Sequence, residues 1–89
     1  MKAVVTVIGK DHVGITADVC VLLAKYNINI LDISQTVMEE YVTLVMLADI
    51  SAASVPVAEL SDIMAKAGEE MELSIRIQRE DIFQAMHRI

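Results

Sequence analysis

The residues best suited to bind a ligand or take part in a reaction lie in one turn, Gly9-Lys10-Asp11-His12-Val13-Gly14-Ile15-Thr16. An apolar pattern typical of a helix begins directly after it. A helix N-terminus offers free backbone N–H groups and a positive dipole end, which can receive a carboxylate or a phosphate. Gly14 has no Cβ, so a ligand or a neighbouring backbone can approach it closely. The turn is a candidate receptor for a small anion or zwitterion, although ordinary turn chemistry also accounts for its glycines.

Other reactive side chains give weaker patterns. Asp11 and His12 are the types that bind metals or exchange protons, but two adjacent residues on a loop are more often a solvated pair. Cys20 lies inside the helical pattern, where a buried and inert thiol is expected. His87 reads as a cation near the C-terminal end of a helix. With no nucleophile–base pair or metal cluster in the pattern, we expect no enzymatic activity, no cofactor and no metal.

Length and composition narrow the class of protein further. Eighty-nine residues form one small domain, and 55% of them are apolar while only 3% are aromatic. A chain this short depends on a dense aliphatic core, a partner subunit, or both. The net charge of −6 argues against binding to nucleic acid or to anionic membranes. The single cysteine excludes an internal disulfide, and no apolar run approaches a membrane span, so the sequence predicts a cytoplasmic protein.

Hydrophobic periodicity predicts seven elements along the chain. They alternate as strand, helix, strand, strand, helix, strand and a short C-terminal helix, over residues 3–8, 14–27, 28–38, 41–49, 56–68, 71–78 and 80–89. The second and third strands share a two-residue turn, so they must be antiparallel neighbours. The order predicts an α+β, ferredoxin-like βαββαβ fold, with a four-stranded antiparallel sheet and two helices on one face.

Two predicted strands are apolar on both faces, which is unusual for a sheet covered on one side only. On the third strand, one face carries Val42, Leu44, Met46 and Ala48, and the other carries Tyr41, Val45 and Leu47. On the first strand, one face carries Val5 and Val7, and the other carries Val4 and Ile8. We therefore expect the second face to be removed from water too. A second subunit or the C-terminal apolar residues Ile82, Phe83, Met86 and Ile89 could cover it. A homodimer is predicted, and side-by-side and face-to-face arrangements both remain open.

Two segments resemble the ACT domain family. They are the D-x-x-G-I turn, residues 11–15, and the stretch Asn27-Ile28-Asn29-Ile30-Leu31-Asp32. The resemblance covers an ACT domain at residues 1–79, and residues 80–89 form a helical tail outside it that packs on the sheet or on the partner subunit. That tail, together with Ile33-Ser34-Gln35-Thr36, is similar to small stand-alone ACT proteins without an assigned role. The first two segments also resemble the modules of glycine-cleavage regulators and of nucleotidylyl-removing sensors.

The resemblance implies a ligand-binding site shared between subunits. In ligand-binding ACT domains the effector lies between the first strand-to-helix loop and the start of the second strand of a partner. In this sequence the matching residues are Asp11, His12, Val13, Gly14 and Asn29. An amide such as Asn29 can serve both the ammonium and the carboxylate of an amino acid. Asp11 stands where several amino-acid binders carry an amide, and a carboxylate there favours the amino group of a ligand.

Two functions follow as hypotheses. The first is a regulatory, homodimeric sensor that binds an amino acid or a similar small effector without transforming it. The alternative is a structural or protein–protein interaction module that binds no small ligand and acts on an unidentified protein target. Three other classes of protein with a ferredoxin-like fold fit the sequence less well. Metallochaperones need a Cys-x-x-Cys pair, and acylphosphatases need an arginine in the first loop. RNA-recognition modules need aromatic residues on the two central strands.

Overall fold

A computed structural model describes residues 1–81 as one antiparallel sheet with two helices. The elements are β1 (Lys2–Lys10), α1 (Ile15–Lys25), β2 (Asn29–Met38), β3 (Tyr41–Asp49), α2 (Val57–Met71) and β4 (Leu73–Arg79). The strands lie in the order β2-β3-β1-β4, and every neighbouring pair is antiparallel. The predicted ferredoxin-like βαββαβ fold is confirmed. The predicted C-terminal helix lies almost wholly in residues 82–89, outside the described residues.

The core lies between the helices and one face of the sheet. The strand residues of this face are fully or almost fully buried: Ala3, Val5, Val7, Val42, Leu44, Met46, Ala48, Leu73, Ile75 and Ile77. Against them pack Ile15, Val19 and Leu23 of α1 and Leu60 and Met64 of α2. The period of two in the strands and of three to four in the helices places these residues on shared faces, as predicted. Neither helix in this part of the chain is long and apolar enough to cross a membrane.

The end of α2 differs from the prediction that Gly68 terminates this helix. The helix continues to Met71, and Glu72 follows it with a left-handed φ of 61°. Gly68 is buried inside α2, where a Cβ would lie only 2.6 Å from the carbonyl oxygen of Leu73. Glycine is needed at this position because the backbone of α2 lies very close to the backbone of β4. Gly68 therefore serves helix–strand packing and does not end the helix.

The second face of the sheet carries no helix from residues 1–81, and we call it the open face. It comprises Val4, Thr6 and Ile8 of β1, Thr43, Val45 and Leu47 of β3, and the residues that flank them on β2 and β4. Ile8 is 48% exposed and Val45 is 39% exposed. Val4 is only 8% exposed, yet it is not part of the core cluster.

The edge strand β2 is the most exposed element of the sheet. Every residue from Asn29 to Met38 is exposed except the half-buried Ile30. One edge of β2 pairs with β3, and the other edge has no strand partner in the described chain. A β-bulge lies between Ile30 and Asp32. Several large apolar residues are exposed here, namely Leu31, Ile33, Val37 and Met38.

Candidate functional site

The loop between β1 and α1 presents four of the predicted site residues to solvent. Asp11, His12, Val13 and Gly14 are all exposed, and the Val13 side chain is fully so. The backbone N–H of Asp11 donates to the carbonyl of Glu40 at 2.8 Å, which ties the loop to the turn between β2 and β3. The loop is therefore anchored at its base and open at its tip.

Gly14 begins α1 in a conformation that favours glycine. Its φ is 86°, and no heavy atom of residues 1–81 beyond its two chain neighbours lies within 4 Å of the position that a Cβ would take. The carbonyl of Gly14 accepts the N–H of Asp18 at 2.9 Å, but no side chain caps the helix. Among residues 1–81, no backbone carbonyl or capping side chain accepts the N–H groups of Thr16 and Ala17. The first turn of α1 thus offers two donors and open space to an anion.

The fifth predicted residue, Asn29, lies at the opposite end of the sheet. Asn29 pairs with Asp49, which in turn pairs with Lys2 at the start of β1. The loop follows Lys10 at the other end of the same strand. Eight steps of extended chain separate the two ends, a distance of about 26 Å. The structure therefore brings Asp11, His12, Val13 and Gly14 together, but it does not bring Asn29 to them within one chain.

Asn29 lines a shallow depression of about 290 Å³. The lining residues are Ala24, Asn27, Ile28, Asn29, Asp49, Ser51 and Ala52. The Asn27 amide donates to the carbonyl of Ala52 at 2.8 Å, which fixes one wall. The backbone N–H of Ser51 donates to Asp49 at 2.9 Å, and the Met1 ammonium lies 3.8 Å from the same carboxylate.

The carboxylate of Asp49 is held in its charged form. The hydroxyl and the backbone N–H of Ser51 lower the pKa of Asp49, and the Met1 ammonium adds to the effect. The sequence alone predicted no role for Asp49 or Ser51. The available signal was the Asp-x-Ser spacing, which permits a carboxylate to accept the N–H two residues later.

The other candidate groups form no reaction centre in the described part of the chain. Cys20 is half-buried on α1, whereas the sequence predicted full burial, because its position borders the exposed side of the helix. Within residues 1–81, no three His, Cys, Asp or Glu side chains are grouped so that they could hold a metal ion.

The hydrogen-bond register relates the loop to the free edge of β2. Lys10, the last residue of β1, pairs with Tyr41, and Tyr41 pairs with Met38. Met38 ends β2, so it lies two strand spacings, about 10 Å, from the residue that begins the loop. The loop and the last residue of β2 therefore lie at the same end of the sheet, with β3 between them.

Comparison with known proteins agrees with this fold. The family model of the ACT domain matches residues 2–78, and the chain belongs to the ACT domain family. A UPF0237 protein of Listeria monocytogenes serotype 4b is 51% identical over 89 residues, which is the full length of both chains. The predicted similarity to small stand-alone ACT proteins is thereby confirmed.

Two solved structures show the same architecture. An ACT domain protein from Streptococcus pneumoniae is 39% identical, with a TM-score of 0.83 over 98% of both chains. A putative glycine cleavage system transcriptional repressor has a TM-score of 0.72 and 24% identity. It is matched over 88% of this chain and 44% of that one, so this likeness concerns the fold.

Proposed function

We propose that this protein is a cytoplasmic, homodimeric sensor that binds an amino acid or a similar zwitterion between two copies of the chain and has no catalytic activity. ACT domains generally bind small regulatory molecules, which makes this the starting expectation for the family. One observation carries the finer proposal. The loop at residues 11–14 and Asn29 lie at opposite ends of the sheet, so a site that uses both requires a second chain.

The free edge of β2 offers a way to assemble that site. If two copies pair antiparallel over the full length of β2, Asn29 of one copy lies opposite Met38 of the other. Met38 is in the row of Tyr41 and Lys10, beside the loop. A twofold axis would then build two identical sites, each with the loop of one copy and Asn29 of the other. Such pairing would also cover an edge strand that is long, exposed and partly apolar.

The groups at the two ends match the two charges of a zwitterion. The N–H groups of Thr16 and Ala17, beside the open space at Gly14, suit a carboxylate. The carboxylates of Asp11 and Asp49 suit an ammonium. These acidic groups and the net charge of −6 disfavour a dianionic ligand such as a phosphate ester.

Calorimetric titration against the amino acids tests the proposal. We expect saturable binding by at least one of them, lost in Gly14→Val and weakened in Asn29→Ala by about 1 to 3 kcal/mol, the cost of leaving a buried polar partner unsatisfied. Asp11→Asn should weaken the binding of a ligand whose ammonium faces the loop, and should tighten it if the carboxylate does. A ligand whose affinity ignores all three changes binds elsewhere.

Mixing two variants with impaired binding tests whether the site is shared. Gly14→Val spoils the loop and Asn29→Ala spoils the strand, so neither homodimer retains an intact site. A heterodimer of the two has one site with both defects and one with neither. After subunit exchange at equal concentrations, roughly a quarter of all sites should bind with the affinity of the unmodified protein. No recovery despite demonstrated exchange would place both residues in the site of a single chain, or in none.

A protein–protein interaction module is the second candidate. The fully exposed side chain of Val13 and the exposed apolar residues of β2 favour it, because exposed apolar groups often mark contacts with other proteins. Titrations that give no heat with any amino acid, from a protein shown to be folded and dimeric, would support this reading over the sensor.

A further inference from the structure

One edge of β4 has no strand partner in residues 1–81. β4 runs from Leu73 to Arg79 at the side of the sheet opposite β2, and β1 pairs with only one of its edges. We call the other edge the β4 edge. An unpaired edge presents a row of backbone N–H and C=O groups to which a further strand can bind. The β4 edge is therefore a candidate surface for an extended segment of another protein.

The hydrogen-bond pattern of β1 determines which groups of β4 point outward. The N–H of Asp11 donates to the carbonyl of Glu40 at 2.8 Å. This bond flanks the pair of Lys10 and Tyr41, which makes it a non-hydrogen-bonded pair. Because the two kinds of pair alternate along a strand, the odd-numbered residues of β1 bond to β3, and the even-numbered ones bond to β4.

Two residues of β4 therefore turn their backbone groups to the free edge. Ser74, Arg76 and Gln78 pair with even-numbered residues of β1, so their N–H and C=O groups face β1. The N–H and C=O groups of Ile75 and Ile77 then face the β4 edge. Within the part of the chain that the structure describes, no strand pairs with these four groups.

A depression of about 340 Å³ lies along the β4 edge, with α2 on one side and β4 on the other. Its lining residues are Ala65, Glu69, Leu73, Ser74, Ile75 and Arg76. The close approach of α2 at Gly68, where a Cβ would lie 3.2 Å from the backbone nitrogen of Ile75, brings the helix to this edge. The side chains of an added strand would alternate between this depression and the open face.

The charges beside the β4 edge favour particular side chains in such a strand. Arg76 lies in the middle of β4 on the open face, and it forms no ion pair within residues 1–81. Glu69 lies on the other side, at the depression. A carboxylate therefore suits the position opposite Arg76. Apolar side chains suit the two neighbouring positions, which face Ala65 and Ile75.

A second copy of β4 fits this edge poorly. In the antiparallel register that pairs β4 with itself over its full length, residue 73 pairs with residue 79, and Arg76 lies opposite its own counterpart. Like charges directly opposite each other destabilise a strand pair. The β4 edge thus disfavours self-association, while a strand with a carboxylate at the same position would be attracted.

We propose that the β4 edge binds an extended segment of a partner protein as a further antiparallel strand, with a carboxylate opposite Arg76 and an apolar residue on each side of that carboxylate. Backbone hydrogen bonds to Ile75 and Ile77 supply affinity, and the charge at Arg76 supplies selectivity. The surface shares no residue with the proposed ligand site, so this inference does not depend on the sensor function.

Titration of the isotope-labelled, full-length protein with a capped pentapeptide tests the proposal by nuclear magnetic resonance. The sequence Thr-Val-Glu-Val-Thr places a carboxylate between two apolar residues and spans about 17 Å when extended, enough to cover residues 74–78. We expect saturable shift changes at the amides of Ile75 and Ile77. The hydrogen exchange of the Ile77 N–H should become slower, because a bonded amide is protected.

A charge exchange separates strand addition at Arg76 from unspecific adhesion. The peptide Thr-Val-Lys-Val-Thr should bind about fivefold more weakly or less, and Arg76→Glu should reverse this preference. Arg76 is exposed, so the variant leaves the core unchanged. Lys25→Glu makes the same change of charge on α1 and should retain the preference for the glutamate peptide.

Three outcomes would overturn the proposal. The first is the absence of shift changes at Ile75 and Ile77 with millimolar peptide, in protein whose spectrum is that of a folded chain. The second is a set of shift changes confined to β2, which would place strand addition at the opposite edge of the sheet. The third is a preference between the two peptides that Arg76→Glu leaves unaltered.

Discussion

Gly14 has a φ of 86°, a backbone conformation that costs a residue with a Cβ about 1 to 2 kcal/mol. Apart from Gly14 and its two chain neighbours, no heavy atom of residues 1–81 lies within 4 Å of a Cβ built there, so backbone strain is the penalty expected from this part of the chain. Gly14→Ala should therefore lower the free energy of unfolding by that amount and leave the fold intact. Urea unfolding followed by circular dichroism measures this, and a loss of the folded state would contradict it.

Gly68 is constrained by contact, because its Cβ position lies 2.6 Å from the backbone oxygen of Leu73. A backbone atom cannot rotate away as a side chain can, so Gly68→Ala must push α2 from β4. We expect a loss of about 1 to 3 kcal/mol, offset only in part by the better helix propensity of alanine. The same urea experiment should show a loss, and a gain in stability would mean that α2 moves without cost.

Asp49 links stability to pH through its lowered pKa. Because the carboxyl group binds its proton less tightly in the folded chain than in the unfolded one, its ionised form favours folding. This contribution is complete above the unfolded value of 3.8 and is lost as the pH falls through the lower, folded-state pKa. The stability difference between the native protein and Asp49→Asn should therefore be present at pH 7 and shrink at pH 3. Urea midpoints at these two pH values provide the measurement.

Single residues also show which parts of the candidate site could be predicted from the sequence. The turn at residues 11–14 was predictable, because glycine, strand and helix signals lie next to each other in the chain. The position of Asp49 beside Asn29 was not predictable, because it depends on the register between β2 and β3. The local spacing of residues in the sequence does not determine that register.

Among the elements, β2 is the one whose burial follows least from its secondary structure. Alternation correctly predicted a strand, and it placed Ile33 on the same face as the buried Met46. Ile33 is nevertheless 42% exposed, because the helices do not extend over this edge. The reach of a helix across a sheet depends on packing between distant segments, and periodicity does not encode it. The error at Gly68 also comes from packing, because close contact with Leu73 and Ile75 of the strand that follows α2 decides the role of this glycine.

A charge on β2 tests whether a second copy covers this strand. Ile33→Lys should weaken the dimer at least tenfold, since a lysine placed in an interface must be desolvated without a partner. Val21→Lys is the control, because Val21 is more exposed but lies on α1. Sedimentation equilibrium gives both dissociation constants, and equal values for the two variants would place the interface away from β2.

The whole molecule should be a dimer at micromolar concentration, with twice the mass of one chain. Its small core and its exposed apolar residues on β2 both favour a stable contact with a second copy. An ordinary interface buries about 800 Å² of each partner, which a ten-residue edge strand and its flanks can provide. A monomer of constant mass across a hundredfold dilution series would refute this expectation.

The separation of Asn29 from the loop has a consequence for the working range of such a sensor. When each binding site needs two chains, ligand binding also stabilises the dimer. The occupancy of the site then depends on the concentrations of both the ligand and the protein. At protein concentrations below the dissociation constant of the dimer, most chains would lack a complete site and would not bind the ligand at moderate ligand concentrations. The rate at which the protein is made and degraded would then set the threshold of the response, with no change in any contact to the ligand.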